Sequence, residues 1–458
     1  MKNKAKYILL AALLMCCLPD VFAQTLRSGY FIETLPNRHE MNPALTPDFG
    51  YVALPAAGAL KVGVNSNLGL ADILYPRGNE LVTGLHQSVS AEQFLGNLNK
   101  MNAVEADVKT SIVSVGFHAF GGLNTIGISA RSLTGIYLPY DLFKFAKVGQ
   151  DNGAAMEYDI RDLAVSSDNY AELSLGHSHR IGSKLRIGAK VKFMFGIASA
   201  EARVDRLHLM MSADKWTVKS RGHMFTSNLL KITYDSEGII DKVDTNDFSA
   251  DNFGVGFDVG AGFDILPNLK VSAAVVDMGF VSWKGIRSSL IGKDFVFDGF
   301  HNLGAEKDPA TDRSAWDDEL DQIEDDLKGL IRFDEGREES RIKTLASTLN
   351  FGVEYGVLSN KITFGLLSST RLGLPEVWAE GMLSVNFKPV SWFSASVNGS
   401  ASSTGCSFGA LVNFAPKGFN FFVGSDYIPY SYSKEGIPLH NANINAVIGI
   451  NFTFNHKK

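Results

Sequence analysis

Down this chain, apolar residues recur on every second position, with polar residues or glycine between them. Leu185, Ile187, Ala189, Val191, Phe193 and Phe195 oppose Lys184, Arg186, Lys190 and Lys192. Phe253, Val255, Phe257, Val259, Ala261 and Phe263 oppose Gly254, Gly256, Asp258, Gly260, Gly262 and Asp264. Leu349, Phe351, Val353, Tyr355 and Val357 oppose Asn350 and Glu354, and the last run, Ile444 to Phe454, opposes its apolar set to Asn443, Asn445, Asn451 and Thr453. Even residues 389–416, which carry no charge, alternate: Phe408, Ala410, Val412 and Phe414 against Ser407, Gly409 and Asn413. A period of two with a polar second face marks strands, not a membrane-crossing helix. There are about 14 to 16 such runs, many of about ten residues.

Length decides what kind of sheet this is. Strands of soluble sheets peak near 5–6 residues, whereas strands crossing a membrane in a tilted barrel take about 9–11. A bilayer offers no water to unpaired backbone groups, so spanning strands must close on themselves. The outer face is then apolar, and the inner face is free to carry Lys, Asp and Asn. The pattern predicts an all-β protein, a transmembrane antiparallel β-barrel of about 14 strands over residues 58–458. Short turns at Gly121-Gly122, Gly182-Ser183, Pro267-Asn268 and Ser359-Asn360 join consecutive runs. Trp283, Trp378 and Trp392 fall at or near run ends, where an aromatic girdle would stand.

Composition narrows the partners. With 45% hydrophobic and 20% charged residues the chain is too apolar for disorder. Forty-three basic against 49 acidic residues give no polycationic footprint, so no nucleic-acid partner is expected. Lys2, Lys4 and Lys6, the apolar Tyr7 to Leu18 and Val21-Phe22-Ala23 read as a cleaved secretory signal over residues 1–23. Only Cys406 then remains, so an intramolecular disulfide is impossible, and no Cys/His cluster has zinc spacing. These readings place the protein in the cell outer membrane, with outer-membrane lipid around it and no cofactor.

Residues 24–57 carry Pro36, Pro43, Pro47 and Pro55 and alternate little, and are expected to form an N-terminal plug-like segment inside or under the barrel. Asn42-Pro43-Ala44 fixes a local turn within it. In an exported barrel-like chain, this element resembles the one in the N-terminal region of FadL-type long-chain fatty acid transporters. Related elements occur in Bacteroidetes outer-membrane proteins linked to the type IX secretion apparatus. The wider start, Ser28-Gly29-Tyr30-Phe31 through to Val64-Asn65-Ser66-Asn67-Leu68-Gly69, is similar to a Bacteroidetes family of exported barrels of unassigned function. The resemblance implies a 14-stranded barrel with Asn42, Pro43 and Ala44 in a plug, and a small apolar ligand or a secretion-apparatus protein as partner.

Two segments depart from the strand pattern. Within a loop over 85–105, Ser90 to Met101 reads as a short helix: Ser90 and Gln93 fit a capping box, and Phe94, Leu98 and Met101 share a face. Residues 300–345 read as an acidic helical loop insertion. Residues 305–340 hold 14 acidic against five basic residues, a net of −9, which leaves +3 for the rest of a chain whose net charge is −6. Asp317, Asp321, Glu324 and Asp325 there are candidates for partner docking or cation bridging, but they lack EF-hand spacing, so no dedicated metal site is expected.

Little in the chain suggests catalysis. His177 and His179 share a strand face opposite to Ser178, so the Ser has no neighbouring base to activate it. Gly254-x-Gly256 does not open a helix, which excludes a nucleotide fingerprint. The glycine stripe Gly254, Gly256, Gly260 and Gly262, with Asp258 and Asp264, bares one strand face. It makes room for a plug, or provides a kink or lateral opening into the bilayer. The expected function is therefore non-enzymatic: passage of a small apolar molecule across the outer membrane. The alternative is a structural or docking barrel bound to an envelope protein.

Overall fold

The computed structural model describes residues 26–53, 59–77, 80–150, 154–227, 229–234, 240–245, 251–291, 295–297, 332–373, 378–403, 405–428 and 443–455. The expected signal peptide (1–23) and the acidic candidates Asp317, Asp321, Glu324 and Asp325 lie outside these residues.

Strand pairing closes on itself as a 14-stranded antiparallel barrel. We number the strands β1 (Gly50–Ala53 and Leu60–Ser66), β2 (Met101–Ala119), β3 (Gly122–Pro139), β4 (Met156–Ile181) and β5 (Leu185–Met211). There follow β6 (Trp216–Ser227 and Phe253–Leu266), β7 (Leu269–Ser289), β8 (Arg337–Thr344 and Thr348–Val357) and β9 (Ile362–Arg371). The last five are β10 (Trp378–Val390), β11 (Phe393–Ser402), β12 (Gly405–Phe414), β13 (Phe419–Ile428) and β14 (Ile444–Phe454). Strand β14 pairs with both halves of β1, Gly50 opposite Phe454 and Leu60 opposite Ile448, which leaves the barrel without an edge there.

The faces divide as a hydrocarbon-wetted barrel requires. Phe253, Phe257, Val259 and Phe263 on β6 point outward and are exposed, as are Phe351, Phe408, Ile448 and Phe452 elsewhere. The opposite parity is buried yet polar: Lys190 and Lys192 on β5, Asp258 on β6, Asn350 and Glu354 on β8, Asn445 and Asn451 on β14. A water-soluble protein would invert this arrangement, because burying charge while exposing phenylalanine costs free energy on both counts. No helix among the described residues is long and apolar enough to cross a membrane.

The wall is uneven. Strands β9 to β14 hold 10 to 13 residues, whereas β4 and β5 hold 26 and 27. The apolar outer band on β4 includes Leu175 and Val165; beyond it, Glu157 pairs with His208 of β5, and Asp159 with both Arg206 of β5 and Arg161 of its own strand. Ion pairs on the outer face show where the hairpin has left the lipid. Inside this projecting wall, helix α3 (Tyr140–Val148) packs Leu142 and Phe145 on Tyr158, Ile160 and Leu209. Helix α1 (Leu70–Ile73) and α2 (Ala91–Leu95) lie in the β1–β2 loop.

Several expectations need correction. The loop helix spans only Ala91–Leu95 and stops at Gly96: Ser90 caps it, accepting the Gln93 N–H at 3.1 Å, but Met101 opens β2. The strand wall begins at Gly50, not at 58, because a four-residue piece flanked by prolines is too short to show alternation. Arg337–Thr344, assigned to the acidic insertion, is strand paired with β7; its outward Ile342 is the lone apolar residue in a charged run, since this half of β8 needs no greasy face. Trp283 and Trp378 are no girdle: both are buried in the interior, and only Trp392, at a turn, is exposed.

Candidate functional site

Residues 26–49 run through the lumen. They start beside the upper parts of β10 and β13, descend to the turn-bearing end at Glu33, climb to Glu40 and return to enter β1. Glycines in the wall make room for them. A Cβ at Gly188 of β5 would overlap the backbone of Pro43 and Ala44, and one at Gly260 of β6 would overlap the Asn42 amide. A Cβ at Gly352 of β8 would stand 2.6 Å from the Tyr30 ring.

Asn42-Pro43-Ala44 is thus seated on the glycine stripe. The Asn42 amide donates to Ala261 O and Ala273 O at 3.3 Å each, while its own oxygen accepts the Ala44 N–H at 3.0 Å, an Asx turn. Ser178 donates to Ala44 O at 3.3 Å and Asn350 to Met41 O at 2.9 Å. Of the other stripe positions, Gly262 faces Leu45, Gly256 faces Leu345 and Lys192, and Gly254 abuts the β7 backbone.

The two aspartates of the stripe do not project into open space. Asp258 is fully buried, 2.7 Å from Lys192, and accepts the Asp277 N–H at 2.8 Å. Asp264 pairs with Arg180 at 2.9 Å near the turn. Strand β6 also stays hydrogen-bonded to β5 from Phe253 to Phe263 and to β7 with a bulge at Asp258. The ladder is intact on both sides where a lateral opening was a candidate. His177 bonds Asn124 at 2.9 Å and stacks on His179 at 5.8 Å, away from Ser178, which faces the lumen.

Charge fastens the luminal segment at three levels. At the loop-bearing end, Arg27 meets Glu380 at 2.6 Å and Asp426 accepts the Arg27 and Ser28 N–H groups at 2.6 and 2.8 Å. In the middle, Glu40 takes Lys61 at 2.5 Å and Lys109 at 3.5 Å, and His39 bridges Lys190 at 3.0 Å and Tyr51 at 2.7 Å. At the turn end, Glu33 takes Lys270 at 2.5 Å and Lys388 at 3.3 Å. None of Arg27, Glu33 and Glu40 stands out in the sequence. Their signal is the surplus of lysines on the luminal parity, Lys61, Lys109, Lys190 and Lys270, which need anions from somewhere.

Above this segment lies a cavity of about 600 Å³, where the tall wall rises over the short one. Leu133, Tyr170, Val281, Trp283 and Leu345 give it apolar walls. Its charged lining is internally matched: Lys343 with Asp168, Arg203 with Asp162, Arg341 with Glu201 at 2.7 Å. Arg131 grips Asp107 through two hydrogen bonds of 3.0 and 2.7 Å. Arg371 reaches the same carboxylate only at 3.7 Å, and it separates the cavity from a 70 Å³ chamber beside Glu40 and Met41. A further cavity of about 320 Å³ opens by Glu33, Lys270 and Lys388 at the turn end. No cluster of His, Cys, Asp or Glu suited to a metal is found among the described residues.

These features define a class: a closed β-barrel of the outer-membrane type whose lumen is occupied by its own N-terminal segment. Residues 43–426 match the family described as "Family of unknown function (DUF5723)", and the chain belongs to that family. No curated protein matches it. Among solved structures it is similar to the Ralstonia pickettii toluene transporter TbuX (7% identity, TM-score 0.40, 91% of this chain and 94% of that one). It is also similar to the Pseudomonas putida toluene transporter TodX (9%, 0.40, 92% and 93%). A Pseudomonas aeruginosa FadL homologue aligns at 10% identity and TM-score 0.41 over 96% of this chain and 99% of that one. Likeness at this level concerns overall architecture and says nothing of the ligand.

Proposed function

We propose that this protein is an outer-membrane barrel that admits a small molecule with an apolar body into its upper cavity for passage across the membrane. The short turns and the chain's entry into β1 share one end, and the long loops the other. In outer-membrane barrels that arrangement puts the turns in the periplasm and the loops outside, so the cavity faces the exterior. The reading rests on the cavity itself: about 600 Å³, within the size range of small-molecule sites, with Trp283, Val281, Leu133 and Leu345 in its wall. Passage then needs the segment 26–49 to yield, since it separates the upper cavity from the lower one.

The test is a titration of the detergent-solubilised protein with p-xylene, followed by tryptophan emission and by uptake into proteoliposomes. Saturable quenching that disappears in Trp283→Phe, together with protein-dependent uptake, supports the proposal. Non-saturable quenching that is equal in both proteins and uptake no faster than in empty liposomes refute it.

A docking barrel is the second reading. It is favoured by one observation: Arg27, Glu33 and Glu40 of the luminal segment are each paired with a charged residue of the wall, as in a lumen built to stay shut. Absence of uptake combined with stoichiometric co-purification of another envelope protein would select it.

A further inference from the structure

The wall around Arg27 has the makings of a recognition site. Its guanidinium lies 4.5 Å from the Trp378 ring centre and 5.5 Å from that of Tyr427, close to Glu380 and donating to the Tyr427 hydroxyl at 2.8 Å. Both Arg27 and Glu380 are buried. A planar cation lying over an aromatic face beside a carboxylate is a guanidinium arrangement, since an ammonium does not stack in this way. The fit is incomplete as well: Glu380 Oε1 and Trp378 Nε1 are buried without a protein partner among the described residues. Unsatisfied buried groups mark a site with hydrogen-bonding capacity left over.

We propose that Trp378, Glu380 and Tyr427 form a guanidinium-binding site in the barrel wall, with Arg27 as its tethered occupant and Asp426 holding the backbone beside it. When Arg27 is seated, the start of the luminal segment is fixed across the loop-bearing end; when the site is empty, that end of the segment is free and the lumen opens. This rests on reading residues 26–49 as a plug. The geometry favours the chain's own arginine over a soluble ligand, because Asp426 simultaneously takes the Arg27 and Ser28 backbone N–H groups.

The experiment is single-channel recording of the full-length protein in planar bilayers, with folding checked by the heat-modifiable shift on a gel. Wild type is expected to be closed. Arg27→Ala is expected to conduct, and millimolar ethylguanidinium is expected to abolish that conductance while ethylammonium leaves it. Trp378→Leu, which keeps the ion pair, is expected to leak as well and carries the test if Arg27→Ala does not fold. Folded variants that stay closed overturn the proposal, as does block by both cations alike, or failure of both variants to give a folded barrel. Absence of p-xylene uptake in the wild type would sink the passage reading and leave these recordings interpretable.

Discussion

Gly188→Val offers a sharp way to separate the barrel from what fills it. Position 188 lies on β5 with its missing side chain pointing at the backbone of Pro43 and Ala44, which unlike a flexible side chain has no rotamer to escape into. Ordinary contact begins near 3.4 Å, so the segment must retreat by about an ångström for the Cβ alone, and further for the two methyls. That retreat strains the Ser178 bond to Ala44 O and the two Asn42 bonds to β6 and β7. Overpacking costs about 1–3 kcal/mol and each lost hydrogen bond about 1, so docking of the segment weakens by about 4–6 kcal/mol. The wall's own ladder at this position, 188 against 178 and 260, is untouched. We expect a barrel that is still heat-modifiable, with residues 26–49 newly open to protease and a raised conductance. Gly381→Ala is the control, since a Cβ there meets nothing within 4 Å. If Gly188→Val protects the segment as fully as Gly381→Ala does, the socket argument fails.

Three further outcomes test other parts of the account. Phe257→Arg on the outer face is expected to lower stability by about 2–4 kcal/mol in urea unfolding of the lipid-embedded protein; a loss no greater than that of Phe257→Leu would contradict a hydrocarbon-facing β6. Glu40→Gln leaves Lys61 buried without its 2.5 Å partner, at a cost of about 3–5 kcal/mol, and adding Lys61→Met is expected to restore much of it; equal instability of single and double variants would rule out the pairing. Partial burial opposes ionisation of Glu33, but Lys270 and Lys388 together hold its carboxyl down to about 2. A depressed pKa stabilises above the unfolded value and is lost as pH falls toward the folded one, so hydrogen exchange at residues 31–34 is expected to stay protected at pH 4 and to rise only near 2; release in step with an ordinary carboxylate would refute the tether.

What the sequence disclosed follows from what each residue must face. Runs such as Phe253 to Phe263 are legible because lipid imposes one polarity on every second residue along a whole strand. The same rule hides the upper half of β8, Arg337–Thr344, and the outer ends of β4 and β5: beyond the lipid the outward positions meet water, and Glu157, Arg161 and Arg206 break the apolar alternation. Trp283 and Trp378 face inward although their positions near run ends suit a girdle equally well; the neighbours, Tyr170 and Met194 for Trp283 and Arg27 for Trp378, make the difference. The glycine stripe was visible, but its occupant was not, because Gly260 meets Asn42 across 218 positions of sequence. Such pairs carry no local periodicity.

The occupied lumen also explains why the inner face is so heavily charged, and it yields an outcome that runs against intuition. Eight strands leave an interior that side chains can fill, and 16 to 18 leave an open channel; fourteen fall between, so the space must hold either water or chain. Here it holds residues 26–49, and Lys61, Lys109, Lys190 and Lys270 are tolerable there because Glu40, Glu172, Asp258 and Glu33 face them. Replacing Glu40 alone keeps the segment in place and the lysines dry, the costly case of an uncompensated buried charge. Deleting residues 26–49 outright admits water to all of them, which removes the penalty along with the partners. The deletion variant is therefore expected to give a folded, conducting barrel that is more resistant to urea than Glu40→Gln, although it lacks many more contacts. Since β1 begins at Gly50, no ladder bond is lost. A deletion variant that cannot be recovered in heat-modifiable form would show instead that the segment is the core on which the strands assemble.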